Sequence, residues 1–351
     1  MADNTATSPL ETDALIVGAG PVGLFQVFEL GLLGVHAHVI DVLPHAGGQC
    51  MALYADKPIY DIPGLPRCTG RELTERLQTQ IQPFAPTLHL GQQVVAVTRL
   101  PDQRLQVRTQ QGRNFVTRTL FIAAGVGAFL PRSLSLEGLP QLEGQQVFHQ
   151  ADALPAQAQR QVVVVGGHDD AVATVVRLAQ LAPAERPAAL TLLHRRSTLD
   201  AAPEWQAQLQ RLQATAEVKV LVGQVTALVQ DTHRLTALTL ATPEGETASL
   251  ACDTLVIQLG LSPQLGPIAQ WGLAMSRKQL TVDTERFATS EPGIFAVGDI
   301  NTYPGKRKLI LSGFHEATLA AYAAAAYLRP GEKIPFEYTT ASPRLHQRLG
   351  V

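Results

Sequence analysis

The sequence predicts an α/β protein with two units, each built on a parallel sheet. An apolar strand that stops at glycine, followed by a helix and a second strand, occurs near the N-terminus and again about 150 residues later. The length of 351 residues accommodates two domains, and 28 glycines with 5% aromatic residues suit many tight strand-to-helix turns. With 46% hydrophobic and 17% charged residues, the composition is that of a folded protein.

Charge and cysteine content exclude several classes of protein. Lys and Arg total 28 against 30 Asp and Glu, which excludes a globally basic nucleic-acid binder. The longest apolar run, residues 319–328, is about half of a membrane span. Residues 1–13 lack a signal-peptide pattern and are expected to be a frayed tail. Three cysteines without a CxxC pair predict no disulfide framework, no zinc site and a cytoplasmic protein.

The pattern along the chain places each element in turn. The first repeat predicts a strand over residues 14–17, a helix over 21–33 and a strand over 35–42. The second predicts a strand over 162–165, a helix over 170–181 and a strand over 189–193. Alternating or β-branched stretches at 94–98, 106–109 and 115–122 predict a small antiparallel insert and then a strand that runs into Ala123-Ala124-Gly125. A matching pattern recurs at 218–229, 235–241 and 254–259. A strand over 293–299 and a helix over 312–328 follow.

The first strand-to-helix turn carries a complete GxGxxG motif, Gly18-Ala19-Gly20-Pro21-Val22-Gly23. In such a turn the first glycine makes the bend, the second lets the backbone approach a pyrophosphate, and the third lets helix and strand pack. Asp41 ends the second strand, where a carboxylate can bind ribose hydroxyls. These residues predict a Rossmann-like site for a dinucleotide.

Two further features favour FAD over NAD at this site. Gly47-Gly48-Gln49-Cys50 forms a second loop of small residues, able to pass close to a bulky cofactor. Asp299 follows an apolar strand near the C-terminus, which delivers a carboxylate to the sheet edge. An Asp in that place of a two-domain flavoprotein meets the ribityl chain and phosphate, whereas the alternative is an ordinary turn or N-cap aspartate.

The second turn is an imperfect version of the motif and is interpreted as an NADP(H) site. Gly166 and Gly167 begin the turn, but His168 stands at the second glycine position and Asp170 places a negative charge at the helix start. Both residues oppose a phosphate. The basic run His194, Arg195, Arg196 follows the next strand, where it suits the 2′-phosphate of NADP.

Nearly the whole chain resembles the pyridine nucleotide-disulfide oxidoreductase superfamily. More narrowly, it is similar to the thioredoxin-reductase-like (type 2) ferredoxin–NADP reductases. The resemblance is carried by Gly18–Gly23, the GGQC loop, the sequence IYDIPG at residues 59–64, AAGVGAFLPR at 123–132, GKRKLILSGFHEA at 305–317 and YTTASPRLHQRLGV at 338–351. Thioredoxin reductases differ from it by a redox CxxC.

The resemblance implies the architecture and the FAD contacts. It implies two three-layer domains: an FAD domain over residues 1–132 and 266–351, with an NADP(H) domain over 133–265 inserted into it. The implied FAD contacts are Asp41, Gln49, Tyr54, Val94, Phe129, Asp299 and Thr340. Tyr338 takes the place of an aromatic that stacks on the flavin, Tyr60 is the candidate for the other face, and core packing is the alternative for both.

The implied activity is hydride transfer from NADPH to FAD, followed by single-electron transfer to ferredoxin or flavodoxin by a homodimer. The helix starting near Ser312 would stabilise negative charge on the flavin, and Lys306-Arg307-Lys308 would dock an acidic partner. Where this chain has His168, Asp170, Leu199 and Asp200, the family carries Gly, a Ser-like residue, an aromatic and Arg. Two alternatives stay open: a reductase for a diffusible acceptor such as a quinone or ferric chelate, and a flavin-binding redox sensor whose NADP site has decayed.

Overall fold

The computed structural model describes residues 8–351, apart from the side chains of residues 129 and 130. The chain divides into two compact units. Unit 1 comprises the chain up to Phe129 together with Pro263–Val351, and unit 2 comprises Leu130–Ser262. Each boundary lies three residues before the one expected from the sequence.

The elements follow one another in three stretches of chain. The first holds the strands β1 (Leu10–Val17), β2 (Ala37–Ile40), β3 (Pro58–Ile59), β4 (Cys68–Thr69), β5 (Thr87–His89), β6 (Val94–Arg99), β7 (Leu105–Thr109), β8 (Asn114–Ile122) and β9 (Ala128–Pro131), and the helices α1 (Pro21–Leu32), α2 (Gln49–Tyr54) and α3 (Gly70–Ile81). The second holds β10 (Val147–Phe148), β11 (Gln161–Gly166), β12 (Ala189–His194), β13 (Lys219–Val222), β14 (Gln224–Asp231), β15 (Arg234–Ala241), β16 (Thr247–Ala251), β17 (Thr254–Gln258) and β18 (Leu261–Gln264), with α4 (Leu139–Leu142), α5 (Asp169–Ala179) and α6 (Pro203–Ala214). The third holds β19 (Met275–Ser276), β20 (Gln279–Thr281), β21 (Ile294–Ala296) and β22 (Asn301–Thr302), with α7 (Ile310–Leu328) and α8 (Pro343–Leu349). Short 3-10 helices cover Gln82–Phe84, Ala151–Ala153, Gly266–Gln270 and Gly298–Ile300.

The main sheet of unit 1 is mixed. Its strands lie in the order β5-β2-β1-β8-β7-β6, and β21 also pairs with β8. The pairs β5–β2, β2–β1, β1–β8 and β8–β21 are parallel, whereas β6 and β7 form the antiparallel part that the sequence predicts. β1 begins at Leu10, because Leu10 pairs with Phe115 of the long strand β8. The expected frayed tail is therefore wrong for residues 10–13.

Successive residues of the unit 1 strands point to opposite faces of the sheet. On one face, Ile16, Val39 and Phe121 pack with α1, α3 and α7 in one core. On the other face, the neighbours of these residues belong to a second core that includes Val107, Phe115 and Ile268. Both faces are thus covered, which explains the continuous apolar runs of β1 and of the second half of β8.

Unit 2 is built on a parallel sheet with the order β10-β17-β11-β12-β13. Helices α5 and α6 cover one face, and the antiparallel sheet β14-β15-β16 covers the other. The single strand expected within residues 218–229 is wrong, because the chain divides at Gly223 into β13, which joins the parallel sheet, and β14. The predicted α/β class is confirmed. Among the described helices, no helix is long and apolar enough to cross a bilayer.

Candidate functional site

The turn between β1 and α1 uses its three glycines in three different ways. Gly18 has φ +112°, and a Cβ there would lie 2.4 Å from the carbonyl oxygen of Ala123. A Cβ on Gly23 would lie 1.8 Å from the carbonyl oxygen of Gly18, so this glycine allows α1 to pack against the turn. Gly20 has φ −71°, and its nearest neighbour for an added Cβ is the Cα of Gly48 at 3.9 Å. A methyl group on Gly20 would therefore make only an ordinary van der Waals contact.

Asp41 fixes the turn to the end of β2. Its Oδ2 accepts a hydrogen bond from the backbone N–H of Ala19 at 2.6 Å, and its Oδ1 accepts one from Leu43 at 2.8 Å. Burial raises the pKa of the carboxyl, and the backbone hydrogen bonds oppose that rise. Ala19 is fully buried, so its contribution is this N–H group.

One cleft in unit 1 brings most of the predicted FAD residues together. Its lining includes the predicted residues Gly18, Gly20, Pro21, Asp41, Gly48, Gln49, Tyr54, Val94 and Asp299. Residues that the sequence analysis did not single out complete it: Gln92, Gln93, Leu265, Pro267, Ile268 and Trp271 from unit 1. Their signal was absent from the sequence because these residues belong to loops and a 3-10 helix that meet the cleft only after folding.

The loop before α2 lines the cleft beside the glycine turn, because a Cβ on Gly48 would lie 3.0 Å from the Cα of Gly20. Gly48 precedes α2 with φ +51°, a conformation that favours glycine. The Cys50 thiol is buried and donates to the Tyr54 hydroxyl, with Sγ and Oη 3.5 Å apart. Burial raises the pKa of both groups, so both stay protonated at neutral pH. Cys50 is therefore a buried packing residue.

The far end of the cleft combines Asp299 with the beginning of α7. Lys308, Leu309 and Ile310 line the cleft here, and α7 starts at Ile310, two residues earlier than predicted. The first N–H groups of a helix have no partner within the helix and carry a partial positive charge. Burial raises the pKa of Asp299, while Lys306 and Lys308 act to lower it.

The basic run at residues 306–308 is exposed at two of its three residues. Lys306 has a side chain only 7% exposed, and its Nζ pairs with the carboxylate of the fully buried Glu316. Arg307 and Lys308 are exposed, and Lys308 also lines the cleft. Lys306 is therefore not part of the expected docking patch, and docking by Arg307 and Lys308 stays a prediction.

Besides Ala19 and Gly23 of the glycine turn, the predicted residues Tyr60, Tyr338 and Thr340 lie outside the lining of the cleft. Tyr60 and Tyr338 are 67% and 68% exposed, and Thr340 is exposed as well. The ring of Tyr338 meets Phe336 edge to face, with centroids 5.0 Å apart. The side chain of Phe129 lies outside the described residues. The roles of these four residues stay predictions.

The second glycine turn lies in unit 2 between β11 and α5. A Cβ on Gly166 would lie 2.3 Å from the carbonyl oxygen of Gln258, and one on Gly167 would lie 2.4 Å from the imidazole of His194. His168 adopts φ −100°, which any residue accepts, so the histidine causes no backbone strain at this position. The histidine adds a side chain to the turn without distorting it.

A pocket lies at this turn, with both signs of charge around it. It is lined by Gly167, His168, His194, Arg195, Arg196, Thr198, Leu199 and Asp200. Burial lowers the pKa of His194, and the exposed Arg195 and Arg196 lower it further. His168 Nδ1 lies 3.4 Å from Asp200 Oδ2. Asp169 and Asp170 occupy the first turn of α5, and Asp169 accepts the N–H of Ala202 at 2.6 Å.

Similar proteins provide the family context for both sites. The chain matches the family described as pyridine nucleotide-disulphide oxidoreductase over residues 12–325. It is 53% identical over 349 residues to a protein named ferredoxin–NADP reductase from Paracidovorax citrulli, covering 97% of each chain. It is 52% identical to ferredoxin–NADP reductase 2 from Cupriavidus metallidurans, covering 99% of this chain and 94% of the relative.

Solved structures support the fold. The bacillithiol disulfide reductase of Staphylococcus aureus has a TM-score of 0.59 at 16% identity, and the thioredoxin reductase of Lactococcus lactis has a TM-score of 0.56 at 22% identity. Each comparison covers 90% of this chain and 99% of the other. The family match, the relatives that share about half of their residues with this chain, and the two glycine turns agree. The chain belongs to the pyridine nucleotide-disulphide oxidoreductase family and is an oxidoreductase similar to the ferredoxin–NADP reductases.

Proposed function

We propose that the protein binds FAD in the unit 1 cleft, accepts hydride from NADPH, and passes single electrons to ferredoxin or flavodoxin. The observation that carries this proposal is the continuous cleft between the first glycine turn, Asp41, Asp299 and the start of α7. The names of the relatives, which share 52–53% of their residues with this chain, point to the same reaction.

The residues of the cleft fit a dinucleotide along its length. The cleft beside Gly20 accommodates a pyrophosphate near the N-terminal N–H groups of α1. Asp41, held by two backbone N–H groups, keeps oxygen lone pairs for ribose hydroxyls. Gln49, Tyr54, Val94 and Asp299 line the remainder. When bound, FAD supplies the hydride acceptor and the single-electron donor.

The chain's own part in the reaction is to hold and screen the flavin. The N-terminal N–H groups of α7 point a positive dipole end toward the cleft and favour negative charge there. Tyr60 and Tyr338 are proposed to stack on the two faces of the flavin. Both rings are exposed in a single chain, so Tyr338 and Thr340 are free to act across the interface of the proposed homodimer.

Unit 2 is the proposed NADP(H) site. Gly166 and Gly167 form the turn, and the Arg195 and Arg196 guanidinium groups suit a 2′-phosphate. Asp169, Asp170 and Asp200 add negative charge around the same turn. These carboxylates favour weak binding, and they are the observation that supports the second candidate function, a flavin-binding redox sensor with a decayed NADP site.

The partner and the compartment are inferred from less direct features. Ferredoxin is named in the relatives, and flavodoxin or a diffusible acceptor would need only an accessible flavin edge. We infer a cytoplasmic protein, because Cys50, Cys68 and Cys252 are all free thiols, as in a reducing compartment.

Anaerobic stopped-flow absorbance at the flavin band tests the proposal. The FAD-loaded protein is mixed with NADPH and, separately, with NADH, and reduced protein is then mixed with oxidised ferredoxin. We expect fast bleaching by NADPH and reoxidation by ferredoxin. Bleaching without reoxidation by ferredoxin or flavodoxin would favour the diffusible acceptor. No bleaching by either nucleotide, with FAD bound, would favour the sensor.

A further inference from the structure

The carboxylate of Glu316 is fully buried and accepts hydrogen bonds from four donors. Oε2 accepts the backbone N–H of Gly298 at 2.7 Å and the Asn301 amide at 2.8 Å. Oε1 accepts the Tyr303 hydroxyl at 2.9 Å and the Lys306 ammonium. All four donors come from residues 298–306, and Glu316 lies in the second turn of α7. One side chain therefore ties this entire segment to the helix.

Lys306 is the charge partner of this carboxylate. Its Nζ also donates to the carbonyl oxygen of Gly298 at 2.8 Å and lies 5.4 Å from the centroid of the Tyr303 ring. The Lys306 side chain is 7% exposed. Removing one member of a buried ion pair leaves the other without compensation, which costs far more than an exposed pair contributes.

The segment held by Glu316 carries the flavin end of the cleft. Glu316 anchors this segment at Gly298 and at Asn301. Gly298 and the next residue, Asp299, line the cleft. Gln279 donates to the carbonyl oxygens of Asp299 and Asn301 at 3.1 and 2.8 Å, which fixes the backbone of the turn from its other side. Asp299 thus has little freedom to move unless the Glu316 contacts break.

Glu316 and Lys306 also act on Asp299 through charge. Glu316 raises the pKa of Asp299, and Lys306 lowers it, so both charges are felt inside the cleft. Their effects oppose each other, and together they add no net charge to the flavin end of the cleft.

We propose that Glu316 and Lys306 are a pair of positioning residues that fixes Asp299 against bound FAD and keeps the charge around the flavin balanced. This inference rests on the proposed function, since it concerns the same cleft. Glu316 does not line the cleft itself. It acts through the Gly298–Asn301 turn and through Lys306.

The two halves of the pair have opposite effects on the flavin potential. Reduction adds negative charge to a flavin, so removal of a nearby negative charge raises its midpoint potential and removal of a positive charge lowers it. Glu316→Gln should therefore raise the potential and Lys306→Met should lower it. The double variant removes both charges and should return the potential to that of the unsubstituted protein. A purely structural role would not give shifts of opposite sign that cancel.

The experiment measures the flavin midpoint potential and the FAD dissociation constant of the FAD-loaded protein and the three variants. A Gln at 316 keeps the shape of Glu but replaces one acceptor oxygen by a donor. We expect FAD affinity to fall about tenfold or more in each single variant and less in the double variant, because the double variant buries no unpaired charge.

Two matched controls separate the pair from charge removal in general. Glu11→Gln removes a carboxylate from the exposed ion pair with Arg104, and Lys219→Met removes an exposed ammonium from the first residue of β13. Neither should change the potential or the FAD affinity. If one single variant fails to fold, the other single variant and the double variant still test the proposal, because the single variant should shift the potential and the double variant should not.

Shifts of the same sign in both single variants, or a double variant whose potential equals that of one single variant, would overturn the proposal. So would FAD affinity unchanged in all three variants. Failure of the proposed function looks different, because the unsubstituted protein would then bind no FAD or would bind FAD that NADPH does not reduce.

Discussion

Three side chains at the edge of the unit 1 sheet share a hydrogen-bond chain whose proton positions can be deduced. Arg113 Nη1 lies 2.7 Å from His89 Nδ1, and His89 Nε2 lies 2.9 Å from His38 Nδ1. A guanidinium can only donate, so His89 Nδ1 accepts, and His89 Nε2 must carry the hydrogen that His38 accepts. Both rings act as neutral imidazoles here. The backbone carbonyl of His89 also accepts the N–H of Asp41 at 3.0 Å.

The hydrogen-bond chain of Arg113, His89 and His38 predicts that the protein loses stability in mild acid. Burial, His38 and Arg113 lower the pKa of His89 from 6.5 to about 4, and burial and His36 lower that of His38. Below pH 6.5 the two imidazoles bind protons in the unfolded protein but not in the folded protein. The free energy of unfolding is therefore highest above pH 6.5 and falls as the pH is lowered toward 4. We expect the free energy of unfolding in urea to fall over this range by on the order of 2 kcal/mol more than in His89→Gln.

The comparison of slopes, rather than of absolute stability, isolates the titration. His89→Gln loses a buried hydrogen-bond partner at every pH, so its stability is lower throughout, but its pH dependence should be flatter. His233→Asn, at an exposed turn position with φ +67°, is the control and should keep the original slope. Parallel curves for the original protein and His89→Gln would contradict the prediction.

At the level of single elements, α1 and its turn separate folding from cofactor binding. A Cβ on Gly23 overlaps the Gly18 carbonyl at 1.8 Å, so Gly23→Ala should lower the free energy of unfolding by about 3 kcal/mol. A Cβ on Gly20 meets no atom closer than 3.9 Å, and its backbone already suits alanine, so Gly20→Ala should cost about 1 kcal/mol or less.

In FAD binding the order of the two alanine variants should be reversed, with the larger loss in Gly20→Ala. The methyl group of an alanine at position 20 projects toward the path proposed for the pyrophosphate. FAD affinity should therefore fall by about 100-fold, a loss of roughly 3 kcal/mol, while the apoprotein stays folded. Circular dichroism melting of the apoprotein and fluorescence titration with FAD measure the two effects. Equal melting temperatures for the two apoprotein variants would contradict the assignment.

The sequence predicted the elements whose periodicity is local. The β1–α1–β2 and β11–α5–β12 repeats and the antiparallel β6–β7 pair were visible because their apolar residues alternate or recur at helical spacing. The start of β1 at Leu10 and the separation of β13 from β14 were missed, since both depend on pairing with distant strands. Pairing with a distant strand produces no local pattern in the sequence of the polar residues involved.

The candidate site was predictable where a single residue type carries the geometry. Gly18, Gly20 and Asp41 follow from turn chemistry and strand ends, and all three line the cleft. The sequence predicted that Lys306 is exposed. Its charge partner, Glu316, lies ten residues further along the chain, on α7. Burial of a charge depends on a partner that sequence spacing does not reveal.

For the molecule as a whole, separate cores predict separate responses to ligands. Each unit contains its own pair of apolar clusters, one on each face of its main sheet. Scanning calorimetry of the apoprotein should therefore resolve two transitions. FAD at about 100 times its dissociation constant should raise only the unit 1 transition, by about 5–10 °C, because it stabilises that unit by roughly 2.7 kcal/mol.

NADP⁺ provides the complementary measurement on the same sample and should raise only the unit 2 transition. A single transition that both ligands raise together would show that the two units unfold cooperatively. A lack of any effect of NADP⁺ would agree with the sensor function rather than with the reductase.

Because all three thiols are buried, their reaction with a thiol reagent reports transient opening of the protein. Cys50 and Cys68 in unit 1 and Cys252 in unit 2 are at most 1% exposed, and burial raises the pKa of each. A thiol reagent can therefore reach them only in molecules that have transiently opened. Mass spectrometry of the peptide that contains each cysteine measures its labelling rate. This rate reports how often the unit that contains the cysteine opens, and no engineered cysteine is needed.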